Sequence, residues 1–410
     1  MGADRVSVIV VSRGRPDELS LCLSALAQQI HPPFEIVVVA DPAGVSVAKG
    51  HPHCAGLRLV QFDEPNIAAA RNAGLTAAGG DIIAFIDDDA FAEPTWLARL
   101  VAPFDTADVA ATGGFVRGRN GISYQWRARA IDALGQHHTL AFEGDRPRSP
   151  ETPDGMWLRT EGTNCAYRRS VLAELRGFDP AYRFYLDDAD LNVRLGKAGG
   201  QTILVPLAQV VHVMAPSQRR AKRRVPVDLH EIGASAAYYL KRHAPGDRFD
   251  QALADLRLGE EKRLLRHMVA GTCTPEDVGR LLAGFDTGAQ DGTGRDGAPG
   301  WDGARAAGFA PIAPAFADSV ILSGRPWQAR RVRAKAASLV DNNVRVSVFL
   351  LSPSTLFHHV RYRAPGYWEQ TGGIFGRSVR SERLFSMHSF NDRVQIERQR
   401  VAKIRGLPQK

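Results

Sequence analysis

An α/β fold built on a mostly parallel sheet is predicted for the first half of the chain, from three observations. Continuous apolar runs recur there without polar alternation, as in strands buried on both faces. Segments with apolar residues at helical spacing separate these runs, and strands alternating with helices form a parallel sheet covered on both sides. Charge is also divided along the 410 residues: positions 1–215 hold 20 basic and 25 acidic side chains, positions 216–410 hold 32 and 19, for a net +8 overall. The length allows two or three domains with cores of their own, and the asymmetry predicts two regions with different partners.

The elements follow in order. Val6–Val11 is the first buried strand. Pro16 opens a helix with Asp17 and Glu18 in its first turn, where acidic groups suit the helix dipole. Leu19, Cys22, Leu23, Leu26 and Ile30 give that helix one apolar face. Phe34–Ala40 and Leu57–Phe62 are the second and third strands, Ile67–Ala78 a helix, and Asp81–Ile86 the fourth strand. Ligands of such sheets sit beyond the C-terminal strand ends, which singles out Ser12–Arg15, Asp41 and Asp87–Asp89. From 118 to 160 the pattern loosens around Pro147, Pro150 and Pro153. Regularity returns over Glu161–Arg176 and Asp187–Ala198, followed by a strand over Thr202–Pro206.

Beyond His212 the chain turns basic. Arg219, Arg220, Lys222, Arg223 and Arg224 form a run, and 228–283 reads as helical. Positions 284–308 carry eight glycines in 25 residues, the composition of a linker. The expected organisation is an α/β domain over 1–215, a basic helical extension over 216–283, a glycine-rich linker over 284–310 and a small basic region over 311–410. Cys22, Cys54, Cys165 and Cys273 are far apart and form no CxxC pair, against a disulfide framework or structural zinc. The apolar run after Arg5 is too short for a signal peptide, and no stretch reaches the roughly 18 apolar residues of a spanning helix. A cytoplasmic protein is expected, with a peripheral place on the inner face of the cell membrane as the alternative.

Two acidic clusters carry the chemistry. Asp87-Asp88-Asp89 closes the fourth strand, and three adjacent carboxylates repel one another unless a cation joins them. Hard oxygen donors suit Mg²⁺ or Mn²⁺, and such an ion would hold a diphosphate; the alternative is a solvated acidic loop. Asp187, Asp188 and Asp190 open the later helix. N-capping is expected of at least one of them, and a carboxylate held at an exposed helix start also suits a general base.

The motifs resemble the family 2 inverting glycosyltransferases with the GT-A fold, over residues 6–212. Those carrying the resemblance are Val-Ser-Val-Ile-Val-Val-Ser-Arg-Gly-Arg-Pro-Asp-Glu-Leu from Val6, Glu-Ile-Val-Val-Val-Ala-Asp from Glu35, and Asn66 with Ala-Arg-Asn-Ala-Gly at 70–74. They continue with Gly-Asp-Ile-Ile-Ala-Phe-Ile-Asp-Asp-Asp-Ala from Gly80, Glu-Gly-Thr-Asn-Cys-Ala-Tyr-Arg-Arg at 161–169, Gly-Phe-Asp at 177–179 and Asp-Asp-Ala-Asp-Leu at 187–191. The resemblance implies a nucleotide-diphosphate sugar donor. It places Arg15, Asn66 and Arg71 along the nucleotide and diphosphate, with a surface acid as the alternative partner of Arg71. Asp41 is implied to receive the donor base, Asp87 to face ribose or sugar hydroxyls, and Asp88 to stand beside them. Asp89 is implied as a metal ligand with Asp87, and His212 as a third ligand or else a structural histidine. Asp188 is implied as the base, with Asp187 as the competing candidate. Where the family carries a polar Asn-Gly-Ser stretch after the second strand, this chain has Pro42-Ala43-Gly44-Val45, which leaves the base of the donor open.

The implied activity is metal-dependent, inverting hexosyl or deoxyhexosyl transfer to a saccharide or lipid-linked saccharide, in cell-envelope or exopolysaccharide synthesis. A non-catalytic nucleotide-sugar-binding or scaffolding protein is the alternative. A signalling receiver domain would need an acidic pair after the first strand, where Ser12-Arg13-Gly14-Arg15 stands. Arg219–Arg224 fits contact with anionic lipid and a solvated linker equally, and the helical stretch Asn391–Arg405 is expected as an ordinary surface helix, with a membrane surface as the alternative. Phe357–Arg363, Tyr367 and Trp368 mix aromatic and basic groups as carbohydrate- and nucleic-acid-contacting surfaces do, and aromatic packing in a small C-terminal domain explains them equally well. No zinc spacing or nucleic-acid signature is present, so no nucleic-acid partner is expected.

Overall fold

The computed structural model describes residues 5–53, 55–215, 225–297, 300–306 and 308–407; the run Arg219–Arg224 lies outside the described residues. The apolar runs become strands β1 (Val6–Ser12), β2 (Glu35–Ala40), β3 (Arg58–Gln61) and β4 (Ile82–Asp87). They are followed by β5 (Ala90–Ala92), β6 (Val109–Arg117) and β7 (Tyr124–Trp126). A separate small sheet holds β8 (Arg129–Asp132), β9 (His137–Thr139) and β10 (Met156–Arg159), before β11 (Cys165–Arg168) and β12 (Gln201–His212) rejoin the first. Among the described residues the main sheet runs in the order β3-β2-β1-β4-β11-β6-β12-β5, with β7 paired to β6. The pairs among β1 to β4 are parallel, as is β6 with β12, whereas β11 and β5 run antiparallel to their neighbours. This mixed, mostly parallel sheet with helices against its faces is the architecture that the GT-A resemblance implies.

Helices α1 (Pro16–Ala27), α2 (Pro42–Lys49), α3 (Ile67–Ala77), α4 (Trp96–Val101), α5 (Arg169–Glu174) and α6 (Asp187–Lys197) flank it. The period of two shows why the runs have no polar alternation. Val8 and Val10 face one core with Leu19 and Leu23 of α1, whereas Ile9, Val37 and Val39 face another with Ala68 and Leu75 of α3. Glu161–Arg176 resolves into strand β11 and helix α5. The strand expected over Thr202–Pro206 continues to His212 in β12, because a register shift between Val205 and Gln209 carries it past Pro206.

The helical extension is α7 (His230–His243), α8 (Phe249–Val269) and α9 (Pro275–Gly294). The glycine-rich segment expected as a linker is therefore helix as far as Gly294. Gly284, Gly288 and Gly292 recur every fourth residue, and the last two meet α7 backbone. A Cβ at Gly288 would overlap the His230 carbonyl oxygen, and one at Gly292 that of Ala234. These glycines are contact residues of a close helix pair. Gly288→Ala should destabilise the protein by about 3 kcal/mol, because overlap with rigid backbone exceeds the ~1 kcal/mol that alanine gains in helix propensity. A urea-unfolding midpoint equal to or above wild type would contradict this.

The C-terminal region carries β13 (Ser319–Gly324), α10 (Ala329–Asp341), β14 (Arg345–Ser352), β15 (His359–Arg363), β16 (Tyr367–Gly373) and α11 (Phe390–Arg405). Its sheet runs β13-β14-β16-β15. Ile312, Phe316, Val346, Val348 and Tyr367 share one core with Val8, Leu23 and Trp96 of the first region. Arg405 crosses to Glu93, Nε to Oε2 2.9 Å, with both side chains 2% exposed. α11 is a surface helix with one face packed inward: Val401 and Ile404 are buried with Phe349 and Leu351, whereas Asn391, Asp392, Gln399 and Lys403 are exposed. Of the aromatic-basic stretch, Val360, Tyr362 and Trp368 pack on Phe91 and Val211, and Phe357 stays exposed.

Candidate active site

β4 ends at Asp87, and Asp88 and Asp89 form the turn into β5. β5 then pairs antiparallel with the end of β12, matching Ala90 to His212. This register sets the imidazole beside the triplet: His212 Nε2 is 3.1 Å from Asp89 Oδ1. Asp87, Asp89 and His212 each offer a ligand atom within 4.8 Å of the others. Two carboxylates and an imidazole at that spacing fit a divalent cation, and the Asp87 side chain is 30% exposed, so the group opens to solvent.

Arginines offset the charge of the three carboxylates. Arg15 pairs with Asp88 at 2.6 Å and with Asp89 at 3.0 Å, and Arg71 lies 3.5 Å from Asp87. Asp88, expected beside the donor, is instead fully buried and accepts a 2.7 Å hydrogen bond from Ser12 Oγ. Burial pushes its pKa up in spite of Arg15. Asp89 is also buried, but His212, Arg15 and the 2.8 Å hydrogen bond from Ala215 N outweigh burial and hold its pKa down.

The second cluster starts α6. None of its acids caps the helix: the N-cap is Leu186, at φ 64°, with no side-chain cap bond. Tyr185 (φ 72°) and Leu186 both occupy the left-handed region, a strained approach for bulky residues. The extension braces it, as Ser235 Oγ donates to Phe184 O at 2.7 Å and Leu186 is buried against Tyr239. Asp187 is buried and paired with Arg71; burial raises its pKa despite that partner. Asp188 accepts from Gly162 N at 3.0 Å and lies 3.3 Å from Arg159. Burial opposes its charge, but Arg159, Arg71 and the Gly162 amide prevail and lower its pKa. Asp190 is wholly structural, bonded to Arg194 and His243. Arg71 therefore spans both clusters, its acidic partners among the described residues being the partly exposed Asp87 and the buried Asp187.

A cleft of about 210 Å³, open to solvent, lies beyond β1 and β2. Ser12, Arg15, Phe62, Glu64, Asn66 and Phe184 are among its lining residues, and Asp41 is not. Asp41 caps α2, accepting from Gly44 N at 2.8 Å and Gly14 N at 2.7 Å, so it shapes the loop that carries Arg15. Asn66 caps α3 through Ala69 N and donates to Pro180 O. Sequence reasoning missed Arg159, Glu161 and His137. Arg159 lies between Glu161 and Asp188, and His137, whose pKa burial and Arg159 push down to about 3, meets Arg159 from β9. No spacing could have found a partner set drawn from β9, β10 and α6. It also missed Trp126, whose ring lies 5.6 Å from that of His212.

Comparison with known proteins bears on the same region. Residues 7–176 match the family model described as Glycosyl transferase family 2. The chain is 27% identical over 235 residues, 53% of its length, to an O-antigen biosynthesis protein of Myxococcus xanthus. It is 42% identical over 82 residues, 20% of its length, to an N-acetylglucosaminyl-diphospho-decaprenol L-rhamnosyltransferase of Mycobacterium tuberculosis. These matches span only 18% and 26% of the two relatives. Among solved structures, a mannosyltransferase from Pyrobaculum calidifontis in complex with GDP-Man and Mn²⁺ aligns with TM-score 0.42 and 20% identity, over 70% of this chain and 87% of that one. By the motifs, the sheet and the family match together, residues 7–176 of this chain are a glycosyl transferase family 2 domain.

Proposed function

We propose that the chain transfers a hexosyl or deoxyhexosyl group from a nucleotide-diphosphate sugar to an acceptor hydroxyl, with inversion at the anomeric carbon. One observation carries this reading: Arg71 joins the acidic group at the end of β4 to the one at the start of α6, so a leaving diphosphate and an incoming hydroxyl can be served on one rim. The cavity beyond β1 and β2 suits the nucleoside, with Phe62 as an apolar wall and Arg15 toward the phosphates. Asp87, Asp89 and His212 would hold a divalent cation, Mn²⁺ suiting the imidazole better than Mg²⁺. When bound, that ion supplies positive charge opposite the departing diphosphate.

Asp188 is the general base in this reading. It is held ionised by Arg159 and the Gly162 amide, yet keeps partial exposure, whereas Asp187 is committed to Arg71. The acceptor oxygen gives its proton to Asp188 and forms the new bond to the anomeric carbon. The bond from that carbon to the diphosphate breaks, and the nucleotide diphosphate leaves with the electron pair. Placement and preorganised charge account for most of such an acceleration. The relatives' names support a cell-envelope saccharide, lipid-linked in one case, as the acceptor. The scaffolding alternative needs no base, and the care with which Asp188 is kept charged speaks against it.

A thermal-shift screen of nucleotide diphosphates and their sugars, with Mn²⁺ or with EDTA, tests the donor site. One nucleotide should raise Tm in Mn²⁺ and lose its effect in EDTA, since a ligand that binds only the native fold stabilises it. No shift with any of them would overturn the reading. Binding without transfer or donor hydrolysis would favour the scaffold.

A further inference from the structure

We propose that the edge of the C-terminal sheet where β13, β14 and β16 end is a docking surface for an anionic phospholipid membrane. Those three strands are parallel, so the segments that follow them leave from one edge. On that edge Trp327 is 73% exposed, Leu356 65%, Leu384 64% and Met387 73%, and Phe357 and Phe385 are about half exposed. Exposure this high in large apolar side chains means that they protrude into water instead of lining a groove. A cluster of this kind marks an interaction site.

The protruding residues belong to segments that are fastened together. Gly373 N donates to Leu356 O at 2.9 Å, His358 N to Arg377 O at 3.2 Å, and Ser386 N to Phe375 O at 3.2 Å. The Phe375 and Phe385 rings lie 5.8 Å apart, and Arg377 sits 4.8 Å over the Phe357 ring. A buried network then pins the 376–389 loop to α11. Ser378 Oγ donates to Glu397 at 2.9 Å, Ser378 N donates to Glu382 at 2.6 Å, and Arg393 pairs with Glu397 at 2.9 Å and with Glu382 at 3.3 Å. Glu397 and Arg393 are almost wholly buried. The loop is thus held in a shape that keeps Leu384, Phe385 and Met387 out of the core.

Charge selects the occupant. Arg380 and Arg383 are exposed beside these side chains, Arg330 and Arg331 follow Trp327, and the one acid of the loop, Glu382, is neutralised by Arg393 and Arg400. Apolar side chains ringed by guanidinium groups match a lipid surface, with acyl chains to receive the first and phosphates the second. The surface also adjoins the candidate active site. Val360 N, just beyond Phe357, donates at 2.8 Å to Asn120 O, in the turn after β6, and the end of β6 pairs with β12 next to His212. Docking here would present that rim to the bilayer, and it stands whether or not the chain transfers a sugar.

Flotation of the full chain with phosphatidylcholine vesicles, with and without phosphatidylglycerol, tests this. Binding is expected only to the anionic vesicles. The triple variant Leu384→Ser, Phe385→Ser, Met387→Ser should lose at least tenfold in partition. The pair Arg380→Ala, Arg383→Ala, at exposed positions where folding is not at stake, should lose roughly 30-fold, with an unchanged thermal melt. Wild-type chain that ignores anionic vesicles, or variants that bind them as well as wild type, would overturn the proposal. So would a self-association in sedimentation analysis that the triple variant abolishes while vesicle binding persists, since the patch would then serve a second copy of the chain.

Discussion

Asp188→Asn is expected to slow glycosyl transfer by about 10²–10⁴-fold, the range that a positioned general base supplies, with donor affinity changed less than about twofold. Asparagine keeps a carbonyl to accept from Gly162 N and is nearly isosteric, so the start of α6 should stay in place. The wild-type acid limb of kcat/KM should lie below the ordinary carboxylate range. Burial would raise the Asp188 pKa, but Arg159 and Arg71 lower it further, so the base remains charged until the pH falls past the usual value. Asp187→Asn is the necessary companion. It loosens the Arg71 pair and should weaken donor binding and stability before it touches proton transfer. Steady-state kinetics on both variants decide the matter: if Asp187→Asn alone abolished kcat, the base would be reassigned to Asp187.

Asp89→Asn is expected to cost about 10³-fold in kcat/KM, as loss of one well-placed electrostatic group does in a preorganised site. It should also weaken Mn²⁺ binding measured directly by calorimetry. Asp89 receives the His212, Arg15 and Ala215 contacts together, so neutralising it removes the charge that holds the imidazole of the group in place. Unaltered turnover in the variant, or wild-type turnover that survives chelation, would remove metal from the mechanism.

The strands and the triplet were legible because their signals are local. Buried parallel strands need unbroken apolar runs, and ligands gather where such strands end, so Val6–Val11 and Asp87–Asp89 announce themselves. The glycines at 284, 288 and 292 were misleading for a physical reason. A flexible linker and a close helix contact both favour glycine, and only the spacing of four separates them. Other roles depend on what a residue meets. Asp88 resembles its neighbours in sequence, but the turn between β4 and β5 faces it inward to Ser12 and Arg15. The first half of the chain was read from patterns that repeat; Arg159 and Trp126 belong to no repeat, and their partners come from elements tens of residues away.

The amino-acid sequence by itself determined the layered α/β architecture of residues 6–212, the positions of its two acidic clusters and the split of charge between the two halves, because each is written in short-range periodicity or in residue type. Tertiary structure alone decided which carboxylate is open, which is locked to an arginine, and which of the basic residues face water. Those outcomes follow from burial and from long-range pairing, as where Arg71 binds two acidic clusters 100 residues apart and Arg405 anchors the C-terminal sheet to Glu93.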